Sequence, residues 1–179
     1  MKHDIERVLL TEGQLQERVG QMGEEISRDY AGKNLLLVSV LKGSVVLMAD
    51  LMRAISVRCK IDFLAVSSYG SSTRTSGNVK LLKDLDHPVD GMDILLVEDI
   101  LDSGLTLHYI REMLDTRGAA SIKICTLLDK PERRKADIHA DYVGFTVPDA
   151  FVVGYGLDYA EKYRNLPYIG ILKPEVYGG

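Results

Sequence analysis

An apolar run, Ile94-Leu95-Leu96-Val97, breaks into two adjacent carboxylates, Glu98 and Asp99. A third acid, Asp102, follows, then Ser103-Gly104-Leu105-Thr106-Leu107. Carboxylates accept hydrogen bonds from hydroxyls and bind cations, and they repel phosphate. The segment after them has the opposite disposition. Asp102 to Thr106 reads as a turn into a helix N-terminus. Free backbone N–H groups there, with the Ser103 and Thr106 hydroxyls, cradle a phosphate dianion. One ligand satisfies both halves: a phosphate at one end and a diol at the other, as in a ribose 5-phosphate. A plain helix cap needs only one hydroxyl. Two acids directly after a buried apolar run are also costly to desolvate. Both points favour a binding site over an ordinary strand end.

Other residues of chemical interest follow apolar runs in the same way. Leu41-Lys42-Gly43 follows Asn34 to Val40, and Gly43 lets the backbone approach a ligand. Taken alone, this is a common Lys-Gly turn. Lys130 follows Leu127-Leu128-Asp129. Its ammonium can donate to a ring carbonyl but not to a ring amino group, itself a donor. The Pro-Glu-Arg-Arg after it reads as a solvated charge run. Phe151-Val152 precedes Asp158 and Arg164 on one segment. An aromatic ring stacks on a planar base, a carboxylate suits a hard cation, and a guanidinium fork suits phosphate oxygens.

The run from Ile94 to Leu107 resembles the phosphoribosyl-diphosphate (PRPP) signature of the type I phosphoribosyltransferases. Leu41-Lys42-Gly43, Ser67-Ser68-Tyr69-Gly70, Leu128-Asp129-Lys130-Pro131, the segment from Phe151 to Tyr159 and Tyr163-Arg164 are similar, in the same order, to the hypoxanthine-guanine phosphoribosyltransferases. The likeness runs from about Val8 to Gly170. It implies an α/β fold with a mainly parallel central sheet flanked by helices, a small hood and a mobile loop. It implies a bacterial-type enzyme of purine salvage that moves ribose 5-phosphate from PRPP to hypoxanthine or guanine, giving IMP or GMP and pyrophosphate.

The resemblance also implies residue roles. Ser103, Gly104, Leu105 and Thr106 hold the 5′-phosphate. Glu98 and Asp99 take the ribose hydroxyls and share with Asp158 the holding of Mg²⁺. Asp102 lies near N7 of the purine and handles the proton. Leu41, Lys42 and Gly43 form the pyrophosphate loop, often with a cis Leu41–Lys42 peptide, and Arg164 binds pyrophosphate too. Lys130, Phe151 and Val152 bind the purine. Ser68 and Tyr69 open the mobile loop, whose closure excludes water from the reacting carbon.

The elements that position these residues are legible from periodicity. Leu15 to Tyr30, Val45 to Ile55 and Leu105 to Thr116 have helical spacing. Strands are expected at Asn34–Leu41, Lys60–Ser68, Val79–Leu82, Met92–Ile100, Ser121–Leu128, Tyr142–Phe145 and Phe151–Gly154. Ser67 to Asn78 is rich in Ser, Thr and Gly and reads as a long loop. Strands alternating with helices point to a parallel sheet with its ligands beyond the strand carboxyl ends.

At 179 residues, 46% hydrophobic and 27% charged, the chain reads as one soluble domain over 1–179. A net charge of −4 gives no sign of nucleic-acid or membrane binding. The charged N-terminus lacks a signal-peptide pattern. Cys59 and Cys125 lie in apolar contexts and are expected to stay reduced, which suits the cytoplasm. Two other readings stay open: a xanthine-preferring transferase, and an RNA-binding attenuator of pyrimidine genes on the same scaffold. A homodimer or homotetramer is expected from the resemblance.

Overall fold

The computed structural model describes residues 1–68 and 79–178. In chain order the elements are β1 (Ile5–Leu10), α1 (Glu12–Asp29), β2 (Leu35–Val40), α2 (Val45–Ala54), β3 (Cys59–Ser68), β4 (Val79–Lys83), β5 (Asp93–Leu101), α3 (Leu105–Asp115), β6 (Ser121–Asp129), β7 (Tyr142–Thr146), β8 (Val152–Val153), β9 (Ile169–Leu172) and α4 (Pro174–Tyr177). Short 3₁₀ turns lie at Lys2–Asp4 and Pro131–Arg133.

Six strands form the main sheet in the order β4-β3-β2-β5-β6-β7. All neighbours are parallel except the edge pair β3–β4, which is antiparallel. Every residue of β2 is buried, as an interior parallel strand covered on both faces requires. Its alternate side chains separate into two cores. Leu35 and Leu37 pack with Leu15, Met22, Leu47 and Leu51 of α1 and α2. Leu36, Val38 and Val40 pack with Leu107, Ile110 and Leu114 of α3. Strand β5 divides likewise, with Leu95 and Val97 on the first side and Ile94 and Leu96 on the second.

From β2 the chain adds β3 on one side and later β5 on the other. The β2–β5 pair is therefore the switch point, where a crevice opens beyond the carboxyl ends. Leu41–Gly43 and Asp102–Thr106 leave the sheet at that crevice.

A second sheet, β1-β9-β8, is small and antiparallel. This is the hood. It ties the N-terminal strand to the C-terminal one and carries residues 151–164 toward the crevice. Strands β1 and β9 and helix α4 were not anticipated from periodicity.

Other boundaries fall close to expectation. Helix α1 begins at Glu12 rather than Leu15, because Thr11 and Gln14 form a capping box there. Ser67 and Ser68 pair with Lys80 and Val79 as strand residues, not as loop. The rest of the expected loop, including Tyr69, lies outside the described residues. Asp84, just past β4, receives two hydrogen bonds from Arg117 at 2.7 and 2.9 Å, which ties that edge to the end of α3. Cys59 and Cys125 are both free thiols. No helix among the described residues is long and apolar enough to cross a membrane.

Candidate active site

Two adjoining cavities open at the switch point. One, of about 330 Å³, is lined by the 41–43 turn, the end of β5, the 102–106 turn, Asp158 and Arg164. The other, of about 420 Å³, is lined by Lys130, Phe151, Val152 and Leu157, among others. Ile100, Asp102 and Asp158 border both. Of the expected site residues other than Ser68 and Tyr69, all but Leu105 border one cavity or the other.

The first cavity has an electropositive end built from backbone. Gly104 is the N-cap of α3, with φ +77°, and no side chain caps the helix. The Leu105 N–H reaches only Ser103 Oγ, at a long 3.5 Å. The first amides of the helix thus stay available to an anion, and the helix dipole adds to the attraction. A Cβ on Gly104 would overlap Ile138 and press on Arg134, so only glycine lets this turn pack down. Asp102 does not cap the helix. Its Oδ1 accepts from the Ser103 N–H at 2.7 Å, two residues before the helix begins.

Glu98 and Asp99 lie within β5, half-buried and facing the cavity. Each carboxylate accepts from the next backbone N–H, Glu98 from Asp99 at 3.1 Å and Asp99 from Ile100 at 2.7 Å. Burial pushes both carboxyls upward, and the Asp99 charge pushes Glu98 further, well above the usual carboxylate range. Such a pair holds extra affinity for anything that neutralises it, such as a cation or a hydroxyl donor.

The Leu41–Lys42 peptide is cis. Buried Ser44 closes the turn, donating to the Val40 carbonyl at 2.5 Å and meeting Ser39 Oγ at 2.6 Å. Gly43 sits so close to Asp99 that a Cβ would overlap the carboxylate. Across the crevice, Arg164 donates to the Gly156 carbonyl at 2.8 Å and pairs with Asp158 at 3.2 Å. Lys42 and Arg164 are thus cations facing one cavity, one from the turn after β2 and one from the β8–β9 connection.

The second cavity suits a flat ring with a polar edge. Lys130 is not a solvated lysine: it is 8% exposed, and its Nζ donates to the Ala150 carbonyl at 2.6 Å. Burial lowers its pKa, opposed by Asp149 at 4.0 Å. Phe151 stands edge-on to Tyr159 and stacks on Tyr177, with ring centres 5.5 and 4.7 Å apart. Val152 is buried in β8, and Val153 is a core residue with no face on either cavity.

Two residues escaped the sequence reading. Tyr177, on α4, lines the second cavity from the C-terminal end of the chain. Arg134 is the other, and it corrects the reading of its segment as a solvated charge run. Its guanidinium donates to the carbonyls of Asp102 at 3.0 Å and Ile138 at 2.6 Å, and to the Asp129 carboxylate. It therefore locks the phosphate turn to the strand end that presents Lys130. The arginine-rich composition hid it, since its neighbour Arg133 is indeed largely exposed.

Among the described residues, no three side chains cluster as a self-sufficient metal site. One or two carboxylates facing a phosphate cradle are what Mg²⁺ uses when substrate phosphates and water complete its shell. Glu98, Asp99 and Asp158 fit that pattern.

A sheet with this switch point, a backbone phosphate cradle and an adjoining carboxylate pair defines a phosphoribosyl-binding protein. The chain belongs to the phosphoribosyl transferase domain family, whose profile matches residues 9–160. It is 60% identical over 177 residues to the hypoxanthine-guanine phosphoribosyltransferase of Bacillus subtilis, covering 99% of this chain and 98% of that one. It is 54% identical to the bifunctional protein TilS/HprT of Listeria monocytogenes, of which it spans 27%. A crystal structure of a hypoxanthine phosphoribosyltransferase from Staphylococcus aureus superposes with a TM-score of 0.97 at 52% identity, covering 100% of this chain and 97% of that one.

Proposed function

We propose that this protein transfers ribose 5-phosphate from PRPP to N9 of a 6-oxopurine, hypoxanthine or guanine, releasing pyrophosphate and forming IMP or GMP. One domain, 1–179, carries the activity, in the cytoplasm and as a homo-oligomer. The observation that supports this best is the junction of the two cavities at Asp102. A phosphate-and-diol cavity and a ring-binding cavity share the Asp102 carboxylate, with Ile100 and Asp158 also bordering both.

The amides of α3, with Ser103 and Thr106, fix the 5′-phosphate. Glu98 and Asp99 accept from the 2′- and 3′-hydroxyls. Lys42, Gly43 and Arg164 receive the diphosphate. Mg²⁺, when bound, neutralises the leaving diphosphate. Phe151 stacks on the base, the Val152 backbone meets its edge, and Lys130 donates to O6. Asp102 accepts the N7 proton as N9 bonds to C1′. Catalysis is then chiefly positioning and charge stabilisation, with one proton acceptor.

Steady-state kinetics with hypoxanthine, guanine, xanthine, adenine and uracil, each with PRPP and Mg²⁺, tests the reading. Turnover is expected with hypoxanthine and guanine, and not with adenine or uracil. Excess chelator abolishes it, and Mg²⁺ restores it. Preference for xanthine, or full turnover in chelator, would overturn the corresponding part.

Base recognition is tested separately. Lys130→Ala raises KM for hypoxanthine about 10- to 150-fold, the loss of one charged hydrogen bond of roughly 1.5–3 kcal/mol. The Kd for PRPP stays near wild type, because Lys130 borders only the second cavity. Equal losses for both substrates, measured by calorimetry, would instead assign Lys130 to holding the 149–151 backbone.

A further inference from the structure

Glu161 already pairs with both Lys42 and Arg164, and Asp158 pairs with Arg164 beside it. Glu161 places Oε2 3.1 Å from Lys42 Nζ and Oε1 3.1 Å from Arg164 Nη2. One carboxylate thus spans two cations that come from distant parts of the chain. A bound diphosphate would offer its oxygens to the same two groups.

The chain holds Glu161 in this position against its own backbone preference. Its φ is +62°, in the left-handed region, and Ala160 and Tyr163 are there too, at +51° and +78°. Residues with a Cβ rarely adopt that conformation. The turn is fixed by reciprocal hydrogen bonds between Tyr159 and Lys162, and the Glu161 N–H donates to Asp158 Oδ2 at 2.9 Å. The ion pairs themselves are weakly held. The Lys42 and Glu161 side chains are 68% and 64% exposed. Exposed pairs add little stability, so a strained turn that aims one at the site calls for another purpose. Among the described residues, the buried Arg164 Nε has no hydrogen-bond partner. With Glu161 engaged, the guanidinium is therefore incompletely satisfied.

We propose that Glu161 is a built-in stand-in for the diphosphate. It keeps Lys42 and Arg164 positioned in the empty enzyme, is displaced when PRPP binds, and recaptures both cations as pyrophosphate leaves. This inference rests on the assignment of Lys42 and Arg164 to the diphosphate. Glu161 acts through those two cations, so it is a positioning residue that weakens diphosphate binding and thereby eases product release.

The test is calorimetric titration of inorganic pyrophosphate, with Mg²⁺, into wild type, Glu161→Gln, Glu161→Ala, Lys42→Ala and the Lys42→Ala/Glu161→Gln double variant. Melting temperatures are read alongside. Removing the competing charge is expected to tighten pyrophosphate about two- to fivefold in both Glu161 variants, the scale of an exposed ion pair. Affinity for IMP stays unchanged. In the Lys42→Ala background the gain from Glu161→Gln falls by at least half, an outcome that a merely structural role would not produce. Equal or weaker pyrophosphate binding in both Glu161 variants, or an undiminished gain without Lys42, overturns the proposal. A wild type that binds no pyrophosphate and makes no IMP refutes the functional reading, and this inference with it. Wild-type binding with unchanged Glu161 variants refutes this inference alone.

Discussion

Asp102→Asn is expected to lower kcat about 10²- to 10⁴-fold, the range for loss of one general base, while the Kd for PRPP stays within a few-fold of wild type. The geometry isolates the chemistry from the fold unusually well here. Among the described residues, the side chain's one hydrogen bond is the one Oδ1 accepts from the Ser103 N–H. An asparagine oxygen accepts the same bond. The helix loses no cap, because Gly104 holds that position. Backbone amides and hydroxyls, not the Asp102 charge, form the phosphate cradle. What disappears is a proton acceptor at the border of both cavities. The melting temperature should therefore stay constant as kcat collapses. An unchanged kcat in steady-state assays would remove Asp102 from the reaction and leave it as a turn residue.

The cradle was readable from the sequence because its parts are contiguous. Residues 98–106 carry strand, acids, turn and helix start in one short run, and apolar periodicity marks the elements on either side. The hood was harder. Strand β1 reads Ile-Glu-Arg-Val-Leu-Leu, and register shifts between Ile5 and Arg7 and between Val8 and Leu10 spoil any period of two. Strand β9 has only four residues, whereas β8, Val152–Val153, lies within the strand expected at Phe151–Gly154. A segment as short as β9 does not carry a periodic signal; it becomes a strand because it pairs with both neighbours. Arg134 was hidden for a different reason. Its burial depends on three acceptors at Asp102, Asp129 and Ile138, and local composition cannot report contacts that are made only in three dimensions. The same holds for Glu161. Its two cations lie 119 and 3 positions away, and only the nearer one was within reach of a pattern along the chain.

Gly43 shows how much of the site depends on close approach of backbone to ligand groups. Gly43→Ala is expected to reduce kcat/KM for PRPP about 5- to 150-fold and to destabilise the fold by roughly 1–3 kcal/mol, the usual range for overpacking. A Cβ there would overlap Asp99 Oδ2. That carboxylate is short and is pinned through Oδ1 by the Ile100 N–H at 2.7 Å. Turning it away would break that bond and displace an acceptor assigned to the ribose hydroxyls. The turn cannot retreat instead, because Gly156, at φ +97°, is packed so closely on the Gly43 carbonyl that it tolerates no Cβ of its own. Gly20→Ala is the matched control. Gly20 lies inside α1 with nothing within 4 Å of an added Cβ. Alanine there should stabilise the helix by up to about 1 kcal/mol and leave PRPP kinetics untouched. Thermal melts and PRPP titrations of the two variants separate a general intolerance of alanine from a specific clash at the diphosphate turn. If Gly43→Ala behaves like Gly20→Ala, the contact with Asp99 does not govern the site.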